Sequence, residues 1–126
     1  MKRRPIFTLL LFFLLTACTS PSSGPEKAVE DYLTAIVNAD MERISTLSCA
    51  DWEEDAMLEL DSFQGVKVEL VDMQCSPTRK DGDTSLVTCS GHFLTSYDGE
   101  DTEIDLAERQ YELIKQSGEW LVCGYR

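Results

Sequence analysis

Apolar positions change their spacing twice along the chain, and each change marks a new kind of element. Ile6–Leu15 is an almost unbroken apolar run. From Ala28 the spacing becomes helical: Ala28, Val29, Tyr32, Leu33, Ile36 and Val37 recur at i, i+1, i+4, i+5, i+8 and i+9, one broad stripe of an amphipathic helix. Ser23 and Glu26 have capping-box spacing, and Pro25 suits the first turn. Asn38-Ala39-Asp40 breaks the stripe, and Asp40 predicts the cap of a second helix carrying Met41, Ile44 and Leu47. Asp51 with Glu54 predicts the opening of a third, with Trp52, Ala56, Met57, Leu60 and Phe63.

After Gly65 the period is two. Val66, Val68 and Leu70 alternate with Lys67 and Glu69, then the phase slips to Val71, Met73 and Cys75, which predicts a β-bulge and a bent sheet. Asp81-Gly82, Asp98-Gly99 and Ser117-Gly118 are turn signals, leaving further strands near 85–97, 103–115 and 119–125. Helices first and hairpin-linked strands afterwards predict an α+β fold: N-terminal helices packed on a curved four-stranded antiparallel sheet.

Lys2-Arg3-Arg4 precedes the first apolar run, which is about ten residues and roughly 15 Å long as a helix, where a membrane span needs about 20 residues. Residues 1–17 therefore read as an export signal. Its end, Leu15-Thr16-Ala17-Cys18, resembles the bacterial lipobox. The resemblance implies cleavage before Cys18, a diacylglyceryl thioether on its sulfur and often a further acyl group on the new amine. Two such chains anchor a protein stably, at about 0.8 kcal/mol per buried methylene. Residues 18–24 are then a lipidated tether and 25–126 a single domain, held to the bacterial cell membrane on its extracytoplasmic side. The membrane is its first expected partner.

Without residues 1–17 the chain keeps eight of its 11 Lys and Arg and all 23 Asp and Glu, a net charge of −15. Such a charge excludes nucleic acid as a partner. It also opposes docking flat on anionic lipid. Spread over caps, turns and strands, the carboxylates read as a solvated shell.

Beyond Cys18 the cysteines are Cys49, Cys75, Cys89 and Cys123, an even number in an exported chain and so two disulfides. With a turn centred on Gly82, opposed residue numbers total 164: Cys75 faces Cys89, Val71 faces Phe93 and Asp72 faces His92. Directly opposed Cβ atoms lie about 4.5–5.5 Å apart, near what a disulfide needs. Cys75–Cys89 is the preferred pair, leaving Cys49–Cys123; two other connectivities stay open. There is no Cys-x-x-Cys and a single histidine, which argues against a zinc site or a dithiol redox centre. Neither metal nor cofactor is expected.

Chemistry-bearing candidates are few. Tyr32 lies on the apolar helix face, where core packing is the first reading and pocket lining the second. His92 opposite Asp72 is a cross-strand pair with no nucleophile placed beside it. Asp81-Gly82-Asp83 and Asp98-Gly99-Glu100-Asp101 lack the alternating ligands and distal Glu of a calcium loop and read as hairpin tips.

With these elements placed, Pro25–Leu33, the turn at Ala39-Asp40, and the closing Gly118-Glu119-Trp120-Leu121-Val122-Cys123 resemble the cystatin-like, SnoaL-like cone of the nuclear transport factor and ketosteroid isomerase superfamily. The resemblance implies a curved sheet wrapped around a long helix, in some members enclosing a pocket. It covers enzymes, small-molecule binders and interaction modules alike, so the fold does not select a function. The expectation is a lipid-anchored, disulfide-stabilised envelope domain of non-enzymatic binding or interaction type, with no catalytic residues. Its partner is a small apolar ligand or an envelope protein. The alternatives are a small-molecule-binding cone and an isomerase-like enzyme.

Overall fold

The structure is a computed structural model that describes residues 24–126. In chain order it has α1 (Pro25–Val37), α2 (Met41–Leu47), α3 (Glu53–Ser62), β1 (Lys67–Asp81), β2 (Thr84–Tyr97), β3 (Glu100–Asp105), a 3-10 turn (Leu106–Glu108), β4 (Gln110–Gln116) and β5 (Glu119–Tyr125). Cys18, the export signal and Ser23 lie outside the described residues.

α1 buries Ala28, Val29, Tyr32, Leu33 and Ile36 of the stripe seen in the sequence and adds Ala35, while Val37 is only half-buried. Gly24 is its N-cap, without a side-chain cap bond, and Pro25 is its first residue. Asp40 caps α2 by accepting from the Arg43 N–H at 3.0 Å. Asp51 does not cap α3. Trp52 N–H donates to the Cys49 carbonyl at 3.0 Å, so residues 49–52 form a turn of their own and the helix begins one residue later than the cap spacing suggests.

The antiparallel sheet has five strands, one more than the sequence pattern predicts. Its order is β1-β2-β4-β5, with β3 pairing β2 beside β4. The segment expected as one strand over 103–115 is broken at Leu106, whose side chain turns fully into the core while Asp105 accepts from the Ala107 N–H at 2.8 Å. β2 is therefore shared: residues 92–97 pair with β3 and residues 84–88 with β4.

Cys75 faces Cys89 as expected, but not through a turn centred on Gly82. Asp81 pairs with Thr84 across a two-residue turn, an irregularity at Thr78 shifts the register by one to bring the cysteines opposite, and the bulge shifts it again beyond them. Asp72 and Met73 together oppose Gly91, so Leu70 meets Phe93 and Val71 meets His92. The expected Val71–Phe93 and Asp72–His92 pairs do not form. Asp72 takes φ 52° and Gly91 φ 90°, and a Cβ on Gly91 would collide with the Val71 carbonyl oxygen.

Two cysteine pairs lie at disulfide distance. Cys75–Cys89 has Cα atoms 4.0 Å apart and sits in the core, and Cys49–Cys123 has them 5.0 Å apart. The second joins the loop after α2 to β5, where Ser48 bridges Val122 in parallel and Cys49 N–H donates to the Val122 carbonyl at 2.8 Å. The free edge of β1 is tied to α1, because Cys75 N–H donates to Glu30 Oε1 at 3.3 Å. Further along, Ile36 and Val37 share a pocket wall with Val66–Val68. α1 thus runs antiparallel to β1, and its N-terminus points toward the β1–β2 hairpin. Among the described residues, no helix is long and apolar enough to cross a membrane.

Candidate functional site

A polar cluster lies where α1, the start of α3 and the strand ends Arg109–Tyr111 and Tyr125 converge. α1 supplies Tyr32, fully buried on its apolar face. α3 supplies Glu59 at i+3 from buried Ala56 and one residue before buried Leu60, so its carboxylate points inward with a side chain only 7% exposed. The residue following the 3-10 turn is Arg109, and β4 then buries Tyr111.

These groups satisfy one another. The Tyr32 hydroxyl donates to Glu59 Oε2 at 2.7 Å and accepts from Trp52 Nε1 at 3.2 Å. Arg109 Nη1 donates to Glu59 Oε1, closing a partly buried ion pair. The guanidinium also stacks over the Tyr125 ring, 4.5 Å from its centroid, and Tyr125 packs edge-on against Trp52 and Tyr111. The Tyr111 hydroxyl is buried without a hydrogen-bond partner among the described residues.

Burial, reinforced by the Glu59 carboxylate, pushes the Tyr32 and Tyr111 hydroxyls far above the ordinary tyrosine range. For Arg109, burial opposes its charge, but the neighbouring Tyr111, Glu59 and Tyr125 outweigh that and hold it firmly cationic. Around neutrality the two tyrosines are therefore neutral and Arg109 is cationic. Both Glu59 oxygens already accept a hydrogen bond, leaving its carboxylate committed within the fold.

A separate pocket of about 490 Å³ opens where α1 and α3 end and β1 begins. Its apolar wall is Ile36, Val37, Leu60, Phe63, Val66 and Val68, and polar surface including Gln64 and Lys67 makes up nearly half of the lining. The polar residues at its rim are already paired, Gln64 with Asp61 at 2.9 Å and Lys67 with Glu69 at 3.3 Å.

The residues singled out from sequence fall in different places. Tyr32 is in the polar cluster. His92 is on the opposite, outer face of the sheet, across from Val71 and Asp105, with Nε2 3.4 Å from Glu103. The Asp81-Gly82-Asp83 and Asp98-Gly99 stretches form hairpin tips. Among the described residues, no three His, Cys, Asp or Glu side chains gather as metal ligands would. Glu59, Arg109, Trp52, Tyr111 and Tyr125 escaped sequence reasoning. For Glu59 a signal was present: an acid inside the Ala56–Leu60–Phe63 stripe. Arg109 gave none, since its placement depends on the unforeseen break at Leu106.

No protein-family model matches the chain, and no curated protein matches it. Solved structures do. A SEC-C motif-containing protein from Rhodopseudomonas palustris superposes with a TM-score of 0.59 at 13% identity, over 86% of this chain and 81% of that one. A candidate ketosteroid isomerase from Shewanella frigidimarina gives 0.56 at 15%, over 83% and 95%. An NTF2-like protein with a cystatin-like fold from Novosphingobium aromaticivorans gives 0.55 at 12%, over 79% and 75%. At these identities the likeness establishes the fold alone. The chain has the α+β, cystatin-like fold shared by NTF2-like and ketosteroid-isomerase-like proteins.

Proposed function

We propose that this chain is a lipid-anchored domain of the bacterial cell envelope that works by binding and catalyses no reaction. The observation that carries the binding reading is the closed state of Glu59. An acid or base inside the cone must face its substrate, whereas Glu59 is held by Tyr32 and Arg109 and does not line the pocket beside Phe63, whose lining has no acid and no histidine. The anchor rests on the basic, apolar and lipobox-like segments ending at Cys18.

The apolar wall of the pocket beside Phe63 favours a small apolar molecule as the bound partner over an envelope protein. Its size falls within the roughly 300–1,000 Å³ range of small-molecule sites. The test is native mass spectrometry of the mature chain after incubation with an envelope extract. A non-covalent small-molecule adduct is expected, and it should be lost when Val66→Trp fills the pocket. Catalytic conversion of an extract component, abolished by Glu59→Gln, would overturn the non-enzymatic reading.

A further inference from the structure

Of the eight basic residues among those described, five are in ion pairs: Lys27 and Arg43 with Asp31, Lys67 with Glu69, Arg109 with Glu59 and Arg126 with Glu112. The other three, Arg79, Lys80 and Lys115, have no ion-pair partner among the described residues, and all three stand at one end of the sheet. Lys80 opposes Ser85, and Arg79 opposes Leu86. Lys115 opposes Trp120, and its N–H donates to the Asp83 carbonyl at 2.7 Å. Both ammonium groups lie over the Trp120 ring, 5.6 and 5.8 Å from its centroid. Trp120 is 6% exposed, so it steers the lysines and does not project.

α1 begins at this same end, as its antiparallel course along β1 shows. The tether therefore reaches the domain beside the unpaired cations. Asp81, Asp83, Glu119 and Glu26 in the first turn of α1 also stand here, so this end carries a net charge of about −1. The rest of the mature chain carries about −14. The charge distribution is thus strongly one-sided, with the least acidic end at the anchor.

We propose that this end is the foot on which the domain stands: Arg79, Lys80 and Lys115 meet the phosphates of anionic lipid headgroups. This rests on reading Cys18 as lipid-anchored. The six residues Thr19–Gly24 reach at most about 20 Å, so the domain stays close to the bilayer. Screening acts over about 8 Å at physiological ionic strength. End-on contact brings the three cations, together with the four carboxylates of this end, within that distance and leaves the other carboxylates outside it. Flat docking would bring those in. Arg and Lys are the groups that attract anionic lipid at close range.

The test uses the full lipidated protein, reconstituted into phosphatidylcholine vesicles with or without phosphatidylglycerol. A membrane-impermeant amine reagent labels its lysines, read peptide by peptide by mass spectrometry. Labelling of Lys80 and Lys115 should fall roughly threefold when phosphatidylglycerol is present, and Lys67 at the far end of β1 should not change. The protection should vanish in about 1 M salt, where screening shortens to about 3 Å. Equal labelling of Lys80 and Lys115 in both vesicles would overturn the foot, as would protection that extends to Lys67. Vesicle flotation separates the two claims. Protein that floats with unprotected lysines refutes the foot alone, and protein that fails to float refutes the anchor.

Discussion

Glu59 is the residue on which the interior depends. Buried with Arg109 and hydrogen-bonded by Tyr32, it is stable only while those partners remain. Removing one member of a buried ion pair costs about 3–5 kcal/mol, whereas replacing both with apolar groups of similar volume is often neutral. Arg109→Leu alone should therefore destabilise by about that amount in urea unfolding, and adding Glu59→Leu should recover part of it, less the cost of about 1–3 kcal/mol for the Tyr32 hydroxyl left without its acceptor. The tyrosines make the fold sensitive to alkali. Their raised folded pKa values mean that the unfolded chain releases protons, from about pH 10 upward, that the folded chain retains. Their stabilising contribution is complete below pH 10 and should decline above it, by about 1.4 kcal/mol per pH unit for each hydroxyl. Tyr111→Phe removes one of the two, so its alkaline decline should be shallower, by urea midpoints measured at pH 8 and pH 11.

At the scale of elements, the β1–β2 hairpin shows what periodicity conveys and what it omits. The presence of a turn at Asp81-Gly82 and the phase slip after Leu70 were legible, and Cys75 does face Cys89, but the counted centre was half a residue off and an unforeseen irregularity at Thr78 made up the difference. Which strand residue would lie opposite the bulge was not legible. Gly91 supplies that position through a backbone conformation, φ 90°, that leaves no trace in an apolar–polar pattern. Gly91→Ala should accordingly destabilise by more than 1 kcal/mol in chemical denaturation, through both the strained φ and the collision with Val71. The extra strand has a similar origin. Leu106 continues the apolar count as though the strand ran on, and only its inward turn, held by Asp105, separates β3 from β4. The helices were read well because α1 carries its own stripe. The start of α3 was missed because a turn held from Trp52 to Cys49 competes with the Asp51 cap.

For the whole molecule, the fold, the polar cluster and the charge distribution point the same way. The proposed binding and anchoring roles rest on an inward carboxylate held by Arg109 and Tyr32, a pocket at one end, and cations at the other that have no ion-pair partner among the described residues. Closing the 74-residue separation between Cys49 and Cys123 should contribute about 4 kcal/mol by the chain-entropy account. Reduction should therefore lower the thermal midpoint more than any single surface substitution does. Intact native mass spectrometry of the protein extracted from its own membrane tests the central claim most directly. The expected species is a chain beginning at Cys18, heavier by a diacylglyceryl group, lighter by four hydrogens for two disulfides, and carrying a small apolar molecule that Val66→Trp excludes. An unlipidated chain beginning elsewhere, or one that binds nothing and turns over a substrate, would contradict it.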